Sequence, residues 1–219
     1  MTIDVLYEDN HLLVVYKPRG ILSQADASEK EDMLTLLKAY LKQKYQKPGN
    51  VYVGLVHRLD CNTSGVMVFA KTSKAASRLS KDILHHRFEK KYHALLEGWL
   101  MHSGCLKTHL KKDERLKMSL VDPSGKEAVL DYRVEKKGYY NDRKVTWVDV
   151  DLKTGRFHQI RSQFASIGHP LAGDRKYGST YPFPYCLEAY HLGFYHPVTK
   201  VWLIFEKSPM QEELLPHIV

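Results

Sequence analysis

The segment His57-Arg58-Leu59-Asp60-Cys61-Asn62-Thr63-Ser64-Gly65 sets a carboxylate two residues beyond an arginine, where the apolar run from Val51 to Val56 gives way to a turn. Strand ends and the loops after them are where rigid scaffolds present reactive groups, and Thr63-Ser64-Gly65 supplies turn formers able to fix the direction of Asp60. An acid held in this way is a candidate nucleophile or base. The same residue types also make ordinary turns and caps, so types alone leave both readings open. Arg161 is a second candidate, at the edge of an apolar stripe. It either reaches a carboxylate while Ile160 offers an apolar surface to a ligand, or snorkels to solvent beside an ordinary core residue.

Periodicity predicts the elements that must hold these groups. Leu12-Leu13-Val14-Val15 reads as a buried strand, and Asp32 to Tyr45 as a helix with Met33, Leu37, Tyr40, Leu41 and Lys44 on neighbouring turns, ended by Pro48-Gly49-Asn50. Lys38, Lys42, Lys44 and Lys47 form its polar side. Gly65 to Lys71 reads as a strand, after which Thr72 or Ser73 caps a helix carrying Ala75, Ala76, Leu79 and Ile83. Ala128, Leu130, Tyr132 and Val134 alternate, as do Thr146, Val148, Val150 and Leu152, which predicts an antiparallel hairpin around Gly138 to Asp142. Arg156 to Ile167 has helical spacing, with Phe157, Ile160, Phe164 and Ile167 on one stripe and Gly168 as C-terminal cap before Pro170.

Composition narrows the function classes. The 219 residues and 43% hydrophobic content suffice for a real core. No apolar run approaches the roughly 18 residues of a membrane span, and Met1-Thr2-Ile3-Asp4 opens without a signal core, so the expectation is no membrane and a cytoplasmic protein. Cys61, Cys105 and Cys186 are odd in number and far apart, against both a disulfide framework and a zinc ribbon. There is no His-Glu-x-x-His and no tight acidic cluster, so no metal is expected despite twelve histidines. His57 and His158 are expected to hold backbone groups instead. An excess of 33 Lys and Arg over 25 Asp and Glu, a net +8, points to a polyanionic partner only if a site needs one. The basic segment Lys107, Lys111, Lys112, Arg115 and Lys117, with the turn Asp122-Pro123-Ser124-Gly125 behind it, fits a solvated hairpin better than a phosphate site.

His57-Arg58-Leu59-Asp60 followed by Thr63-Ser64-Gly65 resembles the signature of the RluA-type pseudouridine synthases. Further segments fall in that family's order across most of the chain: Val14-Val15-Tyr16-Lys17-Pro18-Arg19-Gly20, Lys91-Tyr92-His93-Ala94-Leu95-Leu96-Glu97-Gly98, Thr154-Gly155-Arg156-Phe157-His158-Gln159-Ile160-Arg161, then Gly168-His169-Pro170, Gly173-Asp174 and Lys176-Tyr177-Gly178. The resemblance implies an α+β fold, a mixed and mainly antiparallel sheet flanked by helices, as one catalytic domain over residues 1–219. No S4-like domain is expected ahead of it, because the first strand starts by Ile3.

The implied reaction breaks the bond from N1 of uracil to ribose C1′, turns the base, and joins C5 to the same carbon, without redox change and without a cofactor. The resemblance makes Asp60 the catalytic carboxylate and sets Arg161 against it, where a guanidinium favours the ionised acid and fixes its orientation. Tyr92 stacks on the uracil and assists proton transfer, Arg58 fills the space left by the flipped base, and Ile160 and Thr63 line the base site. Lys17 either touches phosphate or closes a turn, and Asp174 can orient a nearby arginine. The partner implied is tRNA or rRNA, bound by a monomer. Phe157 stands where a small hydroxylated residue is common, and Glu188 where a histidine is common. An inert RNA-binding module would show the same charge; a carboxylate-dependent nucleoside or glycoside hydrolase would need a second acid at matched separation, and none is evident.

Overall fold

Four-residue apolar runs without alternation suit strands covered on both faces. In the computed structural model, which describes residues 3–27 and 30–219, such runs form the buried strands Leu12–Lys17 and Ser64–Ala70. In chain order the elements are β1 (Asp4–Glu8), β2 (Leu12–Lys17), α1 (Met33–Lys44), β3 (Gly54–Leu55), β4 (Ser64–Ala70), α2 (Ser73–Leu84), β5 (Glu89–Glu97), β6 (Gly104–Asp113), β7 (Met118–Val121) and β8 (Lys126–Tyr140). There follow β9 (Arg143–Leu152), α3 (Gln159–Ser166), β10 (Leu187–Tyr195), β11 (Trp202–Glu206) and α4 (Pro209–Leu214), with short 3-10 turns at Arg175–Tyr177 and Leu215–His217. The fold is α+β, with mixed, mainly antiparallel strands and flanking helices, as expected. The chain divides into two compact units, Met1–Glu89 with Ala189–Lys207, and Lys90–Glu188 with Ser208–Val219.

In the first unit the strand order is β1-β2-β4-β10, with β11 beside β10 and β3 beside β4. β2 and β4 run antiparallel from Leu12 opposite Ala70 to Lys17 opposite Gly65, so the start of β4 lies beside the end of β2. Gly65 has φ +138°, and a Cβ there would stand 2.3 Å from the Ala189 carbonyl oxygen; only glycine lets β10 come this close. Asp32 and Thr72 cap α1 and α2, accepting from the Thr35 and Ala75 amides at 3.1 Å each. Their apolar positions fall as predicted, and Ala75 and Leu79 of α2 join Val14, Val66, Val68 and Phe194 in one core. The run Val51 to Val56 departs from expectation. Only Gly54 and Leu55 pair as a strand, and the chain from Val56 to Asp60 is irregular but ordered.

In the second unit the order is β5-β9-β8-β6-β7, each neighbouring pair antiparallel. The predicted hairpin is β8–β9, closed by Asn141 and Asp142 at φ 48° and 59°, the left-handed pair a two-residue turn of matching twist requires. Leu95, Val145, Trp147, Cys186 and Met210 form the core. The basic segment is the β6–β7 hairpin, and Lys107, Lys111 and Lys112 meet Glu127, Asp122 and Glu114 at its surface.

The helix expected over Arg156 to Ile167 is shorter. It begins at Gln159, because His158 is left-handed (φ 49°) and its ring stacks on Phe157 at 3.8 Å between centroids. Gln159 then reaches back, accepting from the Arg156 amide at 3.0 Å and donating to the Val129 carbonyl at 3.1 Å. Phe157 therefore lies outside the helix, and Ile167 is 39% exposed rather than core. The C-terminal end is as expected: Gly168 (φ +81°) and His169 return their amides to Ala165 and Phe164, closing a Schellman motif. Glu188, one of the two departures from the family pattern, is buried and accepts from the Ser208 hydroxyl (2.7 Å) and the Met210 amide (3.3 Å), so it caps α4.

Candidate active site

Asp60 lies on irregular chain whose residues alternate in burial: Arg58 is exposed, Leu59 buried, Asp60 half-buried. Ser23 fixes the alternation. Its hydroxyl donates to the Leu59 carbonyl at 2.7 Å and accepts from the Leu59 amide at 3.0 Å, pinning the residue between the two charged side chains. One residue beyond Asp60, the Cys61 carbonyl accepts from the Gly20 amide (2.9 Å) and from Lys17 Nζ (3.1 Å). The Thr63 amide closes the turn onto the Asp60 carbonyl at 3.0 Å, and the Thr63 hydroxyl is buried with no hydrogen-bond partner among the described residues. His57 does hold a backbone group, its Nε2 accepting from the Val68 amide at 3.1 Å.

Lys17 closes the turn at the end of β2. It is fully buried, and its ammonium donates to the carbonyls of Pro18 (3.0 Å), Ile21 (2.7 Å) and Cys61, which uses all three of its protons. No donor is left over for phosphate. Burial pushes its pKa down to about 8, against a smaller upward pull from Cys61 and Asp60.

Arg161 sits in the first turn of α3, 6% exposed. Its Nε and Nη2 donate to the two oxygens of Asp174 at 2.6 and 3.0 Å, a bidentate pair buried on both sides. The rings of Tyr177 and Tyr185 lie 5.0 and 4.7 Å from the guanidinium carbon, covering the cation with aromatic faces. Asp174 is thus the orienting acid the sequence allowed, and Arg161 does not snorkel. Ile160, beside it, is 4% exposed. Tyr92 is in β5 opposite Val150 of β9 and 8% exposed. His158 Nδ1 meets the Tyr177 hydroxyl at 3.0 Å, and that hydroxyl accepts from the Ser119 amide at 2.8 Å.

Lys17, Arg58, Asp60 and Thr63 fall in the first unit, and Tyr92, Ile160 and Arg161 in the second. Within each, residues passed over by sequence reasoning do the holding: Ser23 in one, Tyr177, Tyr185 and Ser119 in the other. Tyr177 stood inside a quoted motif without a role, whereas a lone serine 36 positions before its partner carries no sequence signal.

A family model described as RNA pseudouridylate synthase matches residues 11–166, a span holding every one of these seven positions. The chain belongs to the RNA pseudouridylate synthase family. An uncharacterised RNA pseudouridine synthase of Aquifex aeolicus is 37% identical, over 93% of this chain and 68% of its own length. Ribosomal large subunit pseudouridine synthase D of Pseudomonas aeruginosa is 35% identical over 97% of this chain and 70% of its length, and that of Xylella fastidiosa 35% identical over 83% and 54%. The human protein RNA Pseudouridylate Synthase Domain Containing 1 shares the fold, with a TM-score of 0.76 over 96% of this chain and 86% of its own at 24% identity. The RluA-type likeness of the short motifs is therefore family membership. The pseudouridine synthase is an isomerase that acts on RNA.

Proposed function

We propose that Asp60 is the carboxylate on which uridine isomerisation depends, with Arg161 as its counter-charge, Tyr92 as the ring that stacks on the uracil, and Arg58 as the side chain that replaces the flipped nucleotide. The observation that carries this reading is the Asp60 loop itself, held by hydrogen bonds to the backbone on both sides of a half-buried acid, with an exposed arginine two residues away. Ile160 offers an apolar wall, and the Thr63 hydroxyl, which costs about 1–3 kcal/mol to leave buried and unmet, is a ready partner for a polar group of the substrate. Breaking N1–C1′ leaves both electrons on the uracil; when C5 bonds to C1′, the C5 proton departs to solvent and N1 regains a proton. The balance needs no cofactor. The substrate proposed is RNA of the large ribosomal subunit, by analogy with the named relatives, rather than tRNA. The protein is proposed to work as a monomer in the reducing cytoplasm, in keeping with three free cysteines.

Release of tritium from [5-³H]uridine in a large-subunit rRNA transcript tests the assignment. Asp60→Asn is expected to bind the transcript like wild type and to fall below about a thousandth of its rate, the scale on which losing a transition-state interaction is felt. Equal rates would remove Asp60 from the reaction, and release from tRNA alone would move the substrate.

A further inference from the structure

The segment after β5 crosses the outer end of the β8–β9 hairpin as a strap, fixed where the Thr146 hydroxyl donates to the Gly98 carbonyl (2.8 Å) and accepts from the Leu100 amide (2.9 Å). Trp99 on that strap donates its indole N–H to the Gly138 carbonyl at 3.1 Å and meets Tyr139 edge to face at 5.6 Å. Because Tyr139 pairs with Lys144, and Lys137 with Thr146, these side chains share one sheet face. The face is open. Trp99, Tyr139 and Met101 are 40%, 41% and 59% exposed. The ammonium of Lys144 lies 4.7 Å from the indole centroid, and that of Lys137 3.9 Å from the Met101 sulfur, so both cations border aromatic or soft apolar surface. From Lys136 to Lys144 the chain carries four cations and one acid, Asp142.

An indole fixed by its own hydrogen bond, met by a second exposed ring and bordered by two lysines, matches the chemistry of an unpaired nucleic-acid strand, whose bases stack and whose phosphates need cations. We propose that this patch grips a single-stranded or looped stretch of RNA, bases on Trp99 and Tyr139 and phosphates on Lys137 and Lys144, using none of the residues assigned to the reaction. The inference rests on RNA being the partner. It adds a second hold on the substrate, which raises affinity for long RNA through effective concentration.

Fluorescence anisotropy of the full-length protein with a short oligouridine strand reads the patch directly. Trp99→Ala is expected to weaken binding at least roughly fivefold, and Trp99→Phe, which keeps a ring, to restore most of it. Lys137→Gln with Lys144→Gln is expected to lower the slope of log affinity against log salt by about 0.7 per lysine. Unchanged affinity and slope in these variants, or a wild type that does not bind the strand, would overturn the proposal. So would variants that alter only the sedimentation of the protein without RNA, since a second protein copy would then be what covers the face. Wild-type tritium release is the separate measure of the catalytic reading: its failure with patch binding intact would sink that reading and leave this one standing.

Discussion

The Asp60 loop is fixed along its main chain, and the Arg161 turn at its side chain. Around Asp60 the fixed points are backbone atoms: Ser23 on Leu59, Lys17 and Gly20 on Cys61, and the Thr63 amide on the acid's own carbonyl. Around Arg161 the fixed point is the guanidinium, bidentate to Asp174 and covered by Tyr177 and Tyr185. On the proposed reading, the reacting acid is set through its main chain and its counter-charge through its guanidinium. Damage to the two regions should therefore differ in kind.

The largest effect on stability is expected where the grip is on charge. Asp174→Ala strands a buried guanidinium, a loss of about 3–5 kcal/mol. In a chain of this size that is a fall in Tm of about 6–20 °C, read by thermal unfolding. A variant that melts like wild type would mean that Asp174 does not hold Arg161. Lys17→Met comes next, because it removes the ammonium donor from the carbonyls of Pro18 and Ile21 and leaves Cys61 with the Gly20 amide alone, at about 1–3 kcal/mol. It also carries a pH signature. With a folded pKa of about 8 below the unfolded 10.5, Lys17 is protonated in the unfolded chain and neutral in the folded one between those values. The unfolded state then binds more protons, so wild-type stability relative to Lys17→Met should rise from pH 8 to 10.5 and be flat below that window. Denaturant midpoints across the range check it, and a difference falling with pH would contradict the buried ammonium.

These contrasts also mark what was legible in the chain. β2, α1, β4, α2 and the β8–β9 hairpin follow from local pattern, since Asp32 and Thr72 caps and the Asn141-Asp142 turn act within a few residues. The start of α3 was misplaced because its stripe is genuinely periodic, while a side-chain stack between Phe157 and His158 and the reach of Gln159 to Val129 turn the chain before the helix begins. Lys17 and Ser23 find partners 44 and 36 residues away, beyond any local rule, and so the opening motif showed its place but not its work. Glu188 stands where the family commonly has a histidine; its partners, Ser208 and Met210, make it a helix cap. Short motifs named the candidate residues through family likeness, and packing decides which of them reach solvent.

Ser23→Ala separates aiming from folding. Leu59 would lose both backbone partners, for about 1–3 kcal/mol, while the Asp60 carboxylate itself remains. A misaimed reacting group costs about tenfold to a hundredfold in kcat, so tritium release should fall by that much at saturating RNA with affinity kept. A loss of stability without loss of kcat would show that Asp60 is aimed by the Lys17 and Gly20 contacts alone.

The smallest effect is expected on the other side, at Tyr177→Phe. The Tyr177 hydroxyl accepts from the Ser119 amide and shares a hydrogen bond with His158 Nδ1. Phe removes both bonds but leaves the ring against the Arg161 guanidinium, where the charge is covered. About 1 kcal/mol of stability should go, chiefly for the buried Ser119 amide, with activity within a few-fold of wild type. Tyr177→Ala, which also uncovers the cation, should cost clearly more on both measures. If the two variants proved equal, the hydroxyl network through Ser119 and His158, and not the aromatic cover, would be what keeps Arg161 in place, and the contrast between a group aimed by its backbone and one gripped at its tip would narrow to the Asp174 pair.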